Sequence, residues 1–140
     1  MRFGRSQQKY SAERTVYDGH KFDSKNEARY YGELKLLENA RAIKIIELQP
    51  KVYLTRARLL YKPDFLIEEK GQLVWVDYKG FETPVFRLKR KLWKFYGPGP
   101  LRIIKSKGGG FYVDQEVSGK EDSVKPKKKK KKKKSKGDVK

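Results

Sequence analysis

The chain has 140 residues, which is enough for a single domain with one modest hydrophobic core. It has no cysteine and one histidine, His20, so disulfides, thiolate metal sites and multi-histidine zinc sites within the chain are excluded. The formal net charge is +19, and the segment from Lys125 onward, with eleven Lys and one Asp, supplies +10 of it. The rest of the chain is therefore basic in its own right, which indicates a polyanionic partner. Nucleic acid is the expected one, and a merely well-solvated surface is the alternative.

No apolar run approaches the roughly 20 residues that span a bilayer. The first ten residues, MRFGRSQQKY, also lack the apolar region of a signal peptide. We therefore expect a soluble protein with a cytoplasmic location and no membrane partner.

The first predicted elements are a basic arm at residues 1–14 and a strand segment, TVYDGHKF, at 15–22 with a turn signal at Asp18-Gly19. A helix should begin after Ser24, because Glu27 three residues later has the spacing of a capping box. Asn39 is its expected end. The apolar stripe predicted for this helix consists of Tyr30, Tyr31, Leu34 and Leu37.

The second half of the chain predicts more strands and one more helix. Thr83-Pro84 is a good helix start, and Gly97-Pro98 stops that helix after about Tyr96. The predicted strands are AIKIIEL (42–48), KVYLTR (51–56), a hairpin within 61–80, LRIIKS (101–106) and a further edge strand at FYVDQEV (111–117). The order is β-α-β-β-β-β-α-β, which indicates an α/β sandwich with a mixed sheet. The domain should span 15–117, and 118–140 should be a disordered lysine-rich tail, since it offers nothing to bury.

The hairpin YKPDFLIEEKGQLVWVDYKG (61–80) carries acids inside two apolar strands. If its turn is Lys70-Gly71, then Asp64 lies directly opposite Asp77, whereas a turn of three residues breaks this register. Like charges that face each other destabilise a sheet, so the arrangement is favourable only with a cation between them. Two carboxylates with open positions suit Mg²⁺, with Mn²⁺ as a substitute.

Lys79 is two residues beyond Asp77, so strand alternation places both side chains on one face of the sheet. An ammonium group beside a metal-binding carboxylate can hold a scissile phosphate or orient the attacking water. The alternative is a surface hairpin whose polar face simply holds Asp, Asp and Lys.

Glu27 lies on the helix stripe that should face the core. A carboxylate at that buried edge needs a partner. As a capping-box residue it would serve Ser24, and as a third carboxylate it would complete a metal site and position water. The two roles are compatible.

Taken together, these residues resemble the signature of the PD-(D/E)xK nuclease superfamily, namely Glu27, then Pro63-Asp64, then Asp77, Tyr78 and Lys79. Within that superfamily, the segments YDGHKFDSKNEARYYGEL, ELQPKVYL, YKPDF and VDYKG resemble a family of small phage and prophage endonucleases related to Holliday junction resolvases. The resemblance covers roughly residues 15–95. The second acid is Asp where Glu is commoner, but the pattern permits both.

The resemblance implies a restriction-endonuclease-like core, with a mixed central sheet flanked by helices, and Mg²⁺-dependent hydrolysis of DNA. It further implies that Asp64 and Asp77 bind Mg²⁺ with the Tyr78 backbone carbonyl nearby. Glu27 would assist the metal or its water, and Lys79 would act at the phosphate. Gln49 sits where related nucleases often carry a polar residue, although a role at the end of a strand suits it equally.

The second predicted helix carries a basic face and should lie along a phosphate backbone that leads into the site. Its core-facing stripe is predicted to be Val85, Leu88, Leu92 and Phe95; an ordinary solvated face is the alternative for the basic side. The lysine run of the tail should add non-specific binding. The candidate nucleic-acid-binding residues are Arg87, Arg90, Lys91, Lys94, Lys127, Lys128, Lys129 and Lys130.

The function expected from these observations is a homodimeric endonuclease for branched DNA in a prokaryotic or phage-infected cell, since two cuts at related positions need two sites. The alternatives are an end- or site-directed DNA nuclease of the same fold, and a non-catalytic nucleic-acid-binding protein in which the acids pair with neighbouring bases.

Overall fold

The computed structural model describes residues 14–120, which form a mixed α/β fold with two helices and a mixed sheet. The elements in chain order are β1 (Thr15–Tyr17), β2 (His20–Phe22), α1 (Lys25–Asn39), β3 (Lys44–Leu48), β4 (Val52–Leu54), β5 (Leu59–Tyr61), β6 (Phe65–Glu69), β7 (Gln72–Tyr78), α2 (Pro84–Tyr96), β8 (Leu101–Lys107) and β9 (Gly110–Val117). The main sheet has five strands in the order β3-β6-β7-β8-β9, and β1–β2 and β4–β5 are separate two-stranded hairpins.

The main sheet is mixed because only one of its neighbouring pairs, β7 and β8, is parallel. Parallel neighbours need a crossover connection, and α2 supplies it. The predicted α/β class and the predicted edge strand at 111–117 are confirmed. The turn predicted at Asp18-Gly19 is also confirmed, and it divides 15–22 into the hairpin β1–β2. One prediction about strands was wrong: β4 does not join the main sheet but pairs with β5, which was not predicted.

The missed hairpin β4–β5 turns at residues that give no usual turn signal. Thr55 and Arg58 both adopt positive φ, at 67° and 60°. Such angles are uncommon outside Gly, Asn and Asp, so the sequence TRAR does not reveal the turn.

The sheet separates two hydrophobic cores, because strand alternation sends successive side chains to opposite faces. Phe65, Ile67, Val74 and Val76 pack with α1, while Leu66, Trp75, Leu101 and Ile103 belong to the core that includes α2. Each such fully buried side chain contributes roughly 1.5–3 kcal/mol to stability. The two helices thereby fix both faces of the strands that carry the acidic residues.

The start of α1 follows its predicted cap. The Ser24 side chain accepts a hydrogen bond from the Glu27 backbone N–H at 3.0 Å, and the helix ends at Asn39 as predicted. Tyr31 and Leu34 of the predicted stripe are buried, whereas Leu37 is exposed. The helix therefore presents its N-terminal half most deeply to the sheet.

The start of α2 is also confirmed, since Thr83 caps the helix by accepting from the Phe86 N–H at 3.1 Å. Its predicted core-facing stripe was wrong. Val85, Leu88 and Phe95 are 59%, 53% and 67% exposed, and Leu92 is only partly buried.

Phe86 and Trp93 face the sheet in place of that stripe. Trp93 packs edge-on against Trp75, with ring centroids 6.0 Å apart, and donates from Nε1 to the Gly99 carbonyl at 2.6 Å. Both sets of residues have helical spacing, so periodicity alone does not choose between them. The position of Trp75 on β7 decides which face turns inward.

The fold continues past β9. Gly119 is buried, and the Lys120 N–H donates to the Gly97 carbonyl at 2.8 Å. Residues 118–120, which the sequence assigned to the tail, thus pack on the loop after α2. The predicted arm up to Glu13 and the tail from Glu121 lie outside the described residues, and no helix between residues 14 and 120 is long and apolar enough to cross a membrane.

Candidate functional site

The β6–β7 hairpin has the register that brings its two acids to the same end. Glu69 pairs with Gln72 and Phe65 pairs with Val76. Lys70 and Gly71 both have positive φ, at 53° and 78°, as a two-residue hairpin turn requires. The predicted turn and register are confirmed. Asp64 immediately precedes the last ladder pair, and Asp77 immediately follows it.

Asp77 is almost completely buried, with 1% exposure. Its Oδ2 accepts a hydrogen bond from the Tyr61 hydroxyl and lies 3.5 Å from the Lys79 Nζ. The prediction that Asp77 and Lys79 share a face is confirmed. A buried carboxylate is tolerated only with such partners, and Tyr61 is one that sequence reasoning missed.

Asp64 is half-buried and accepts hydrogen bonds from two backbone N–H groups, one at the end of β7 and one directly after β3. Its Oδ2 accepts from the Tyr78 N–H at 2.8 Å, and its carbonyl accepts from the Gln49 N–H at 2.8 Å. Burial raises the pKa of the Asp64 carboxyl well above its usual range, and the charges of Asp77 and Glu27 raise it further. Like charges close together disfavour the ionised form.

Glu27 lies in the first turn of α1 and is 4% exposed. Burial raises its pKa, although hydrogen bonds with the Asp64 side chain and the Asp23 backbone oppose the rise. Its Oε2 is buried and has no hydrogen-bond partner among the described residues. Glu27 thus reaches the hairpin acids, and one of its oxygens lacks the partner that a buried polar atom needs.

The three carboxyl groups interact with one another. The charges of Asp77 and Glu27 both raise the pKa of Asp64, and the charge of Asp77 also raises that of Glu27, so the three acids lie close enough to influence one another's protonation. Between residues 14 and 120, no three His, Cys, Asp or Glu side chains are arranged so as to hold a metal ion. The donor chemistry nevertheless fits a hard divalent cation, because all three ligand candidates are carboxylates and one buried oxygen of Glu27 is unpartnered.

The aromatic ring of Tyr78 connects α1 to this end of the sheet. The Asn26 Nδ2 donates to the Tyr78 hydroxyl at 2.9 Å, and that hydroxyl lies 3.2 Å from the Ser106 Oγ. These contacts link the first turn of α1 to β7 and β8. They fix Glu27, the next residue after Asn26, against the hairpin.

A small cleft of about 140 Å³ opens beside the acids. It is lined by Glu27 and Asp64 together with His20, Lys21, Phe22, Leu48 and Gln49. The resemblance implied a polar residue near the site at Gln49, with a role at the end of a strand as the alternative, and the structure shows Gln49 directly after β3 and in the lining of this cleft. Sequence reasoning missed His20 and Lys21, because only tertiary packing brings the β1–β2 hairpin to the acids.

The predicted basic face of α2 is partly accessible. Arg87, Lys91 and Lys94 are exposed. Arg90 is instead half-buried, with its Nη1 3.2 Å from Glu82 and 3.1 Å from the Gln115 Oε1. These contacts occupy the Arg90 guanidinium. Arg87 donates from its Nη1 to the Glu82 carbonyl at 3.0 Å but stays exposed, as do Lys91 and Lys94. The predicted tail contacts, Lys127, Lys128, Lys129 and Lys130, lie outside the described residues.

Comparison with known proteins identifies a family whose description assigns no function. A family model described as "Protein of unknown function (DUF1064)" matches residues 7–106, which include all three acids and Lys79. No curated protein matches the chain.

Proposed function

The chain belongs to this DUF1064 family, whose description assigns no activity, and we propose that it is a metal-dependent endodeoxyribonuclease that hydrolyses phosphodiester bonds in branched DNA. One observation carries the proposal. Glu27, Asp64 and Asp77 interact at one end of a hairpin, with the Lys79 ammonium beside them. Grouping acids at this cost in stability is typical of a catalytic site.

The fold assignment within this proposal is a restriction-endonuclease-like core, as in the PD-(D/E)xK superfamily that the sequence resembles. Two features support it. The acids lie at the ends of β6 and β7, which are central in the sheet, and a helix crossover leads from β7 to the parallel strand β8. The other helix, α1, contributes the third acid from the opposite face of the sheet.

Asp64, Asp77 and Glu27, with the Tyr78 backbone carbonyl, would hold Mg²⁺, and Mn²⁺ would substitute for it. Carboxylate and carbonyl oxygens are the ligands that these hard cations prefer. When bound, the cation would neutralise charge on the phosphate and lower the pKa of a water molecule.

The protein's own residues would then position the reaction. Lys79 is held by the Asp77 carboxylate and by the Phe86 ring, whose centroid is 4.7 Å from its Nζ. From there the ammonium would donate a hydrogen bond to an oxygen of the scissile phosphate or orient the attacking water. The Glu27 Oε2, which has no partner among the described residues, would accept a proton from that water.

DNA would approach along α2, which begins shortly after Lys79. Arg87, Lys91 and Lys94 are exposed on this helix and would contact phosphates, with Lys127–Lys134 of the tail adding non-specific attraction. Each duplex phosphate contact steepens the salt dependence of binding by a slope of about 0.9. Arg90 is expected to contribute less, since Glu82 and Gln115 already engage it.

The proposed enzyme is a homodimer. Its proposed location is the cytoplasm of a prokaryotic or phage-infected cell. Two related cuts need two sites, and a two-fold dimer supplies them. The exposed apolar side chains of α2, Val85, Leu88 and Phe95, are compatible with a contact between copies.

The second candidate function is a non-catalytic nucleic-acid-binding protein, which the Asp77–Lys79 ion pair at 3.5 Å favours. In such a protein the acids would be neutralised by neighbouring bases. Glu27 weighs against it, because a buried carboxylate oxygen without a partner has no structural benefit.

One experiment distinguishes these functions. Purified protein is incubated with a four-way junction, a flap and a linear duplex, in Mg²⁺ and in EDTA. We expect Mg²⁺-dependent cleavage of the junction. Preferential cutting of linear DNA at ends or at one sequence would support the end- or site-directed nuclease. Binding without cleavage of any substrate would support the non-catalytic protein and refute the proposal.

A further inference from the structure

A groove leads away from the carboxylate cluster along the β1–β2 hairpin. The cleft of about 140 Å³ beside Glu27 and Asp64 shares Lys21, Phe22 and Gln49 with a second cavity of about 330 Å³. The second cavity extends to Arg14 at the start of β1. The two cavities thus adjoin at these residues, and together, here named the hairpin groove, they extend from the acids to Arg14.

The walls of the hairpin groove become basic with distance from the acids. Lys21 lines both cavities and Arg14 lines the outer one, where Asp23 is the acid present. No ion pair within residues 14–120 neutralises Lys21. A phosphodiester chain that has one phosphate at the acids would therefore meet positive charge as it continues outward.

Gln49 lies where the two cavities meet, and its backbone is strained. Its φ is +51°, which is costly for a residue with a side chain. The hydrogen bond from its N–H to the Asp64 carbonyl helps to hold this conformation. Positive φ also occurs in the turns at Thr55, Arg58 and Lys70, whereas Gln49 adopts it at the wall shared by the two cavities. Here it sets an amide, which both donates and accepts hydrogen bonds, on the wall of the groove.

The volume of the outer cavity fits a single strand. At about 330 Å³ it is at the lower end of the roughly 300–1,000 Å³ of small-ligand pockets, which is room for a nucleotide and not for a duplex, and the inner cleft is smaller still. We propose that the hairpin groove binds a single DNA strand that continues from the scissile phosphate, so that favoured substrates have an unpaired segment beside the cut. This inference rests on the proposed nuclease function for the position of the cut, but its binding is measurable without cleavage.

The test measures binding of a fluorescent oligothymidylate of about ten nucleotides in EDTA, over a range of salt concentrations. Lys21→Ala and Gln49→Ala should weaken affinity by about 3- to 10-fold at low salt. Lys21→Ala should also reduce the slope of log affinity against log salt by about 0.7, the value for one phosphate contact on a single strand. Lys21→Arg should restore the wild-type slope. If Lys21 had only a structural role, neither substitution would change the slope.

The matched control is Lys44→Ala. Lys44 is exposed on β3 and pairs with Glu68, at the end of the strand away from Asp64. It should bind the oligonucleotide as the wild type does. If Lys21→Ala and Gln49→Ala, with melting temperatures unchanged, bind as tightly as Lys44→Ala, the inference is wrong.

Cleavage assays separate this inference from the nuclease proposal. If the wild type cuts no DNA in Mg²⁺ while the groove variants still weaken oligonucleotide binding, the nuclease proposal fails and the groove stands as a single-strand site. If the wild type cuts and the groove variants bind and cut equally well, the groove proposal fails and the nuclease stands.

Discussion

The Tyr61 hydroxyl donates a hydrogen bond to the buried Asp77 carboxylate. Tyr61 belongs to the separate β4–β5 hairpin and Asp77 to the main sheet, so this contact joins the two at the acidic site. Burial raises the pKa of the Tyr61 phenol, and the charge of Asp77 raises it further, so the hydroxyl remains a donor at neutral pH. The geometry of Asp77 therefore depends on a residue sixteen positions away.

Tyr61→Phe should destabilise the protein by about 1–3 kcal/mol, because it leaves a buried carboxylate oxygen without its donor. The ring contacts of Tyr61 with Phe86 and Trp93 would remain. Urea denaturation at pH 7 measures the change. Tyr53→Phe, at an exposed position of β4, is the control and should have little effect. Equal stability of the two variants would show that the hydroxyl does not support Asp77.

Asp77→Asn and Lys79→Ala should each reduce Mg²⁺-dependent cleavage by at least about 100-fold, the usual cost of losing a group that stabilises charge in the transition state. Binding of DNA should be retained, since the exposed bases of α2 are unchanged. Single-turnover cleavage and fluorescence anisotropy measure the two effects. Undiminished cleavage by either variant, relative to Lys44→Ala, would refute the assignment of the site.

Glu27→Gln should stabilise the metal-free protein at pH 7, because burial disfavours the ionised carboxyl and raises its pKa. A folded-state pKa above the unfolded value means that stability falls as pH rises through that interval, so the gain should vanish at low pH. The Ser24 cap is unaffected, since it contacts the Glu27 backbone N–H. Thermal unfolding at several pH values in EDTA provides the measurement.

Glu27→Gln also tests whether the Glu27 side chain binds Mg²⁺. Mg²⁺ should raise the Tm of the wild type, because a ligand that binds only the folded state stabilises it. It should raise the Tm of Glu27→Gln less. An equal shift in both proteins would exclude Glu27 as a ligand, and no shift in either would contradict a Mg²⁺ site.

Glu38→Gln should be destabilising in a pH-dependent manner. The Ile45 N–H donates to the Glu38 Oε2 at 3.0 Å and lowers the pKa of this carboxyl, with help from Lys35. Stability from a lowered pKa is present above the unfolded value, near 4.5, and is lost as pH falls through the folded one. The difference between Glu38→Gln and wild type should be about 1 kcal/mol at pH 7 and should shrink at pH 3. Glu33→Gln, on the exposed side of α1, should leave the stability at pH 7 close to that of the wild type.

Two truncations should behave differently. Removal of residues 121–140 should leave the Tm and cleavage unchanged but weaken DNA binding at low salt, since it removes the lysine run. Removal of 118–140 should also lower the Tm, because it deletes buried Gly119 and the hydrogen bond between Lys120 and Gly97. A folded 121–140 deletion that does not cut would contradict the accessory role of the tail. Equal Tm values would show that residues 118–120 do not stabilise the fold.

Local features could be predicted from the sequence because the interactions that produce them join near neighbours. Ser24 and Glu27 predict where α1 begins, and the Lys70-Gly71 turn predicts the hairpin register. Because this register pairs Phe65 with Val76, the neighbouring residues Asp64 and Asp77 come to the same end of the hairpin.

Only the tertiary structure decided which surfaces meet. Phe86 and Trp93, and not the equally periodic Val85 and Leu88, face the core, where Trp93 packs against Trp75 and Phe86 against Tyr61. Tyr61, in a separate hairpin, donates a hydrogen bond to Asp77 of the main sheet, and Lys21 lines the cleft beside the acids from a hairpin more than forty residues before Asp64. The sequence by itself determined the acids and their register, since those depend on local geometry. The packing of distant elements determined what surrounds them, because periodicity defines a face but not its partner.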